Sequence, residues 1–454
     1  MESARRSRFL TASVFLALYS ICLLSLVPRL SLWLDEILDL IGVRFYDLPR
    51  LIRYIPTNSG GVPLGYLAQV ASVRIFGFST FSGRLPSAVF SILGAIGIAL
   101  LARRFGLRWP LLALAAFCLF PLQFRYALEA RPYSQALAIS VFMTLSFLRL
   151  RERPTWTRSL VYCACIATGL YTQPYSVFVA VAHFGWAILS PGNPTRKRLL
   201  WTTGSALFLA ALAFLPWYSY AHQFWRESIE VSHYRSTVDL KTPLMIVREL
   251  IGAGYPGAFL VLASAWAALA VKFRRRPDAL FWILQLVCPV LLALLTDAVF
   301  GYFVAIRQMI FLLAPLAILF AAGLEVLVDR WPRPAVIFGG LLMVILVYRN
   351  IRFLSGPRED WAQPANLLAQ EARRGRCAIF LPSDSVHLYE FFNPDAGSRA
   401  CPSDLATVRS LTTAVSPYES AATQQQWKAH LSDLGFERRT LLDKIVRVEL
   451  YERR

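Results

Sequence analysis

Charge is scarce in this chain. Only 17% of its 454 residues are Asp, Glu, Lys or Arg, and the acidic sign is the rarer, 28 against 47 basic. A soluble globular domain carries about a quarter, so a water-soluble body over the whole length is excluded. No Gly-rich loop of the kind that cradles a nucleotide is present, and no His or Cys set has metal-ligand spacing. Internal repeats and matching hydrophobic halves are also missing, which counts against the repeat-built architecture of secondary transporters.

Apolar sequence takes the place of charge. Hydrophobic residues make up 56% of the chain and the mean hydropathy is +0.48, with many runs long enough to span a bilayer. The expected fold is a polytopic α-helical membrane protein of about eleven spans, near 9–27, 84–102, 109–124, 133–150, 159–172, 174–190, 199–218, 254–271, 279–296, 308–324 and 334–348. The basic clusters Arg5/Arg6/Arg8, Arg103/Arg104/Arg108, Arg149/Arg151/Arg153/Arg158, Arg196/Lys197/Arg198, Lys272/Arg274/Arg275/Arg276 and Arg330/Arg333 then all fall on the cytoplasmic side. They do so only if 62–78, interrupted by Gln69 and Arg74, does not cross, and that segment reads as an interfacial helix. Orientation explains the net charge of +19 without nucleic acid as a partner. Phe9 to Val27 follows a basic start, is too long for a cleaved signal core and has no small-residue site before Pro28, so a retained signal anchor is expected.

This topology divides the chain into a transmembrane domain, 1–349, and a soluble α/β domain, 350–454, on the outer (periplasmic) side. The first outer loop is 28–83 and a second large one is 219–253. In the tail, Trp361 to Arg374 and Gln424 to Leu434 predict helices, Cys377 to Leu381 a buried strand, and Phe436 to Leu441 with Ile445 to Tyr451 a hairpin. Five cysteines lie in apolar spans as small buried hydrophobes. Cys377 and Cys401 lie in the polar tail, and in an oxidising compartment they can pair.

The residues hardest to explain structurally collect on the outer face. Asp35 and Glu36 stand directly after the first span, where carboxylates are costly near hydrocarbon. Their plain alternative is a helix start, since acidic residues favour a helix N-terminus. Arg125, Tyr126, Glu129, Arg131 and Tyr133 crowd nine residues between apolar runs, with a self-neutralising turn as the alternative. Arg307 and Gln308 open the span that contains Pro315. His183 reads as a packing residue within a span, and His222 and His233 as solvated loop residues. A carboxylate beside arginines suits transfer from a lipid-phosphate-linked donor: the carboxylate takes the acceptor's proton, and a guanidinium fork matches the departing phosphate.

Taken in order, Trp33-Leu-Asp35-Glu36, Pro63-Leu-Gly-Tyr66 followed by Phe76-Gly77, Arg84-Leu-Pro86-Ser, Glu129-Ala-Arg131-Pro132-Tyr133, Tyr171-Thr172, Leu215-Pro216-Trp217, Arg307 and Glu359-Asp360-Trp361 resemble the GT-C class of integral-membrane glycosyltransferases. The similarity is greatest to the branch of bacterial relatives of the protein O-mannosyltransferases and the lipid A aminoarabinose transferases. It covers most of 10–375. The resemblance implies a site on the outer side of a bacterial inner membrane and a polyprenyl-phosphate-sugar donor. It also implies a periplasmic glycan, lipid or protein as acceptor. Asp35 takes the place of the catalytic acid residue, with Glu36 completing the pair. Arg131 and Arg307 match positions that shape the donor-phosphate region, and Glu129, Tyr133 and Arg84 line the site. Members differ in their use of a divalent metal; with one Asp-Glu pair, no obligate metal is expected. The chain departs from the pattern at Val62-Pro63, where members often have two prolines, and at Tyr171-Thr-Gln173-Pro174-Tyr175, where they carry a His. The competing classes are a transporter or flippase for lipid-linked sugars and a non-catalytic assembly protein.

Overall fold

The computed structural model describes residues 2–58, 61–190, 195–231, 242–300 and 305–453. His233, Tyr234 and Arg235 of the expected second loop lie outside them. The helices follow the chain as α1 (Glu2–Leu26), α2 (Leu34–Phe45), α3 (Leu48–Tyr54), α4 (Pro63–Phe76), α5 (Thr80–Arg104) and α6 (Pro110–Leu119). Next come α7 (Pro121–Ala127), α8 (Tyr133–Glu152), α9 (Trp156–Thr172), α10 (Val177–Leu189), α11 (Arg196–Val231) and α12 (Thr242–Ile251). The apolar part closes with α13 (Gly254–Ala267), α14 (Arg276–Phe300), α15 (Leu313–Arg330) and α16 (Pro332–Ser355). Their starts are written locally. Asp47 caps α3 and Thr155 caps α9, Ser79 and Ser82 form a reciprocal cap on α5, and Pro110 and Pro121 occupy the first helical position, where no N–H is needed.

Each run expected to span is helical. Among the described residues seven helices are long and apolar enough to cross a membrane, and eight if α6 and α7 form one span, against the eleven spans expected; this is a multi-pass membrane protein. The 109–124 run is not one helix. It bends by 66° between α6 and α7, because Pro121 lacks the N–H that would bond back to the preceding turn and its ring collides with that turn's carbonyl. The 219–253 stretch differs from a loop as well, with α11 continuing to Val231 and α12 beginning at Thr242.

The described residues fall into two compact units, Met1–Pro28 with Tyr46–Leu354, and Arg29–Phe45 with Ser355–Arg454. In the first, α8 and α15 are central, with 83% and 89% of their apolar windows buried against 28% for α14 and α16. Close approach of α15 to α13 depends on Gly323, where a Cβ would stand 1.7 Å from the Ser264 carbonyl oxygen. Glu325 on α15 is buried, pairs with Lys272 and accepts the Trp109 N–H at 2.7 Å, so its charge is compensated where solvent is absent. His183 stacks 4.3 Å from the Phe147 ring and is bonded through Nδ1 to the Tyr162 hydroxyl at 2.9 Å. It is a packing residue.

The second unit holds α2, α17 (Ala362–Arg373), α18 (Val386–Glu390), α19 (Ala421–Asp433) and a four-stranded sheet. The strands are β1 (Cys377–Leu381), β2 (Ser410–Val415), β3 (Phe436–Leu442) and β4 (Arg447–Arg453), in the order β1-β2-β4-β3. Strands β1 and β2 are parallel with Cys377 opposite Leu411, β4 is antiparallel to β2, and β3 and β4 form the hairpin. Leu405, Leu411, Leu431, Phe436 and Tyr451 form a core with Trp427 packed on it. Cys377 and Cys401 are joined by a disulfide.

Candidate active site

In the first unit the site grows from the turn between α7 and α8. The Arg131 N–H donates to the Glu129 carbonyl at 2.8 Å, and the Arg131 carbonyl accepts the Ser87 hydroxyl of α5 at 2.9 Å. Gln69 of α4 donates through Nε2 to the Ala130 carbonyl at 2.8 Å, and Gly65 lets α4 lie against Pro132, whose Cβ would be 3.0 Å from an added Cβ. Two helices, α4 and α5, therefore fix the backbone of Glu129 to Pro132. Such anchoring removes the freedom that a charged turn would have in water.

The turn's side chains carry its electrostatics. Glu129 is fully buried and accepts from Arg125 Nε at 2.8 Å, four residues back; a buried carboxylate needs such a partner. Arg131 is 8% exposed, with its guanidinium 5.8 Å from the centre of the Tyr133 ring, and that ring lies 4.5 Å from Tyr126. Arg307 sits at the start of a short 3-10 segment, Ile306–Leu312, that packs on α8 and α7. The Tyr126 hydroxyl lies in the electrostatic reach of Arg307, Arg125, Glu129 and Tyr133 together. Of the residues singled out in the sequence, Glu129, Arg131, Tyr133 and Arg307 thus share one neighbourhood. Helix α8 begins there with no side-chain cap, so its positive end adds to the arginines' attraction for an anion.

Arg84 does something else. It is fully buried in α5 and donates through Nη1 to the Val27 carbonyl at 3.1 Å, satisfying an orphan carbonyl beyond the end of α1. Tyr171 of the departing turn donates to the Ala213 carbonyl at 2.8 Å. His222 is exposed on α11, 3.0 Å from the Ser219 carbonyl.

In the second unit, Asp35 and Glu36 occupy the first turn of α2. They are both things the sequence offered, a helix start and an acidic pair. Glu36 is fully buried and receives the Trp33 N–H at 3.4 Å, while Asp35 is half-buried. Of the two, Asp35 is the more exposed. Asp39, one turn on, is buried. The N-terminus of α2 is bonded to Glu359, whose Oε2 accepts the Leu34 N–H at 3.0 Å. At the other end Arg44 donates to the Phe391 carbonyl and lies 5.3 Å over that ring, and partial burial draws the Arg44 pKa down. Sequence reasoning missed Glu359 and Arg44 as supports of this helix. The signal for Glu359 was its place in the Glu359-Asp360-Trp361 motif. Among the described residues no three His, Cys, Asp or Glu side chains are grouped to hold a metal ion.

Comparison with known proteins bears on the fold. Residues 60–220 match the family model of dolichyl-phosphate-mannose-protein mannosyltransferases, a stretch that includes α4 and the Glu129–Tyr133 turn. No curated protein sequence matches the chain. Among solved structures, ArnT from Cupriavidus metallidurans in the apo state is similar with a TM-score of 0.60 at 13% identity, covering 97% of this chain and 98% of its own. ArnT bound to undecaprenyl phosphate gives 0.58 at 13% identity, covering 97% of both chains. The archaeal oligosaccharyltransferase AglB from Archaeoglobus fulgidus, in complex with an inhibitory peptide and a dolichol-phosphate, gives 0.53 at 13% identity over 89% of this chain and 69% of AglB. The chain has the fold of the GT-C class of integral-membrane glycosyltransferases, the class its ordered motifs resemble.

Proposed function

We propose that the chain transfers a sugar from a polyprenyl-phosphate carrier to a periplasmic acceptor at the outer face of a bacterial inner membrane. The observation that carries this reading is the coincidence of almost the whole chain with the fold of ArnT, a protein solved with undecaprenyl phosphate bound. Asp35 is the general base. Its carboxylate takes the proton from an acceptor hydroxyl or amine as that atom bonds to the anomeric carbon. The bond from that carbon to the phosphate oxygen breaks in the same displacement, the electron pair stays on the phosphate, and the configuration inverts. Arg131 and Arg307 neutralise the charge that grows on the leaving phosphate, which is where fixed donors lower a barrier most. Glu129 holds Arg125 in the arginine group, and Tyr133 carries Arg131 over its ring. The basic clusters in the opposite loops favour an outer location for the C-terminal domain.

The test is transfer from a panel of radiolabelled polyprenyl-phosphate sugars in membranes containing the protein. Label on an acceptor, with release of the polyprenyl phosphate, supports the reading. Intact donor moved across the bilayer with no release would assign the chain to the flippases instead.

A further inference from the structure

We propose that Glu359 is a positioning residue for Asp35, and that holding α2 in its working orientation is a task of the C-terminal part of the chain. The inference rests on Asp35 being the base. A helix of twelve residues is marginal by itself in water, and its first N–H groups have no partner within the helix. Glu359 supplies one. Its Oε2 accepts the N–H of Leu34, the residue directly before Asp35, at 3.0 Å. A carboxylate at this end also meets the positive pole of the helix.

Glu359 is itself held. The same Oε2 accepts the Trp361 indole N–H at 3.0 Å, and Oε1 accepts the Tyr418 hydroxyl. Trp361 is completely buried, with its ring 5.3 Å from Tyr389. The adjacent Asp360 caps α17 through the N–H groups of Ala362 and Gln363, at 3.2 and 3.3 Å. The carboxylate is therefore fixed by three donors and by the cap of the next helix, and it passes that rigidity to the first turn of α2. Arg44 and Phe45 secure the far end of α2 on Phe391, with the Phe45 and Phe391 rings meeting edge to face at 6.2 Å. None of these contacts touches Asp35 through its side chain, so Glu359 governs where the base stands and not what it is.

Displacing a catalytic group by about 1 Å can cost on the order of a hundredfold in rate. Glu359→Ala is expected to lower kcat roughly 10- to 100-fold with the donor KM within about twofold. Glu359→Gln keeps one acceptor oxygen and should recover part of the rate. On the Asp35→Asn background Glu359→Ala should change kcat no further, whereas a general loss of structure would multiply the two defects. Hydrogen exchange of the intact protein gives a readout independent of activity: the amides of Leu34 to Ile37 should exchange roughly tenfold faster in Glu359→Ala, matching the loss of one charge-assisted bond. Unchanged exchange, or a multiplied defect on the Asp35→Asn background, overturns the proposal. If exchange accelerates while the wild type transfers no sugar from any donor, the positioning of α2 stands and the assigned activity falls.

Discussion

Arg131 offers the sharpest quantitative prediction. Its main chain is bonded to the Glu129 carbonyl and the Ser87 hydroxyl, and neither bond involves the side chain, so truncation should leave the turn in place. What truncation removes is a positive charge that is 8% exposed and 5.8 Å from the centre of the Tyr133 ring. A unit charge about 4 Å from a phosphate oxygen, at an effective dielectric of about 20, contributes about 4 kcal/mol. Loss of one fixed donor to developing charge costs ~2.7–4 kcal/mol in measured cases, or about 10²–10³ in kcat. Arg131→Ala is therefore expected to lower kcat by about that factor. Arg131→Lys keeps the charge but loses the planar fork and should fall roughly 10- to 50-fold. The assay is initial-rate transfer at saturating donor, with the melting temperature of each variant as a control for folding. A fold-normal Arg131→Ala protein with kcat within about threefold of wild type would refute the assignment, since no phosphate-neutralising role is compatible with so small a loss.

Further outcomes follow from other parts of the chain. Gly323→Ala places a methyl 1.7 Å from a main-chain oxygen, so it should cost about 3 kcal/mol or more by forcing α13 and α15 apart, seen as a lower melting temperature in detergent. Gly340→Ala, with open space around its position, should melt with the wild type. Reduction of the Cys377–Cys401 bond, which spans 24 positions, should destabilise the soluble unit by about 3 kcal/mol, read from denaturant unfolding with and without reductant. Chelation with EDTA should leave the transfer rate unchanged if no metal is obligate, as the single Asp-Glu pair leads one to expect; loss of activity restored by Mn²⁺ or Mg²⁺ would show otherwise.

Much of the helical frame was legible because membrane spans are set by local composition. Apolar runs of bilayer length bounded by arginines can be read without any knowledge of neighbours, and 62–78 is set apart from the spans by Gln69 and Arg74, Gln69 being buried against Ala130. What escaped depends on partners distant in sequence. Strand β2, Ser410-Leu-Thr-Thr-Ala-Val415, lies between β1 and β4 and is buried at five successive positions, so it shows none of the alternation that marks a half-exposed strand. The 66° bend at Pro121 lay inside a run whose hydropathy alone reads as one helix. At the site, the charged turn after α7 and Arg307 stood out because charges are rare in such surroundings. Arg84 was implied by the resemblance alone, and its buried bond to the Val27 carbonyl gives it a structural task. The support that Glu359 gives α2 crosses 325 positions, a distance over which no local pattern carries information.

In the proposed mechanism Asp35 removes the acceptor's proton. It is tested most directly by comparing wild type with Asp35→Asn, nearly the same in shape but without a basic oxygen, for both donor binding and sugar transfer in the same membranes. Donor bound with unchanged affinity and transfer reduced by about 10²-fold or more is the result expected of a general base. Equal transfer by the two proteins would contradict the mechanism.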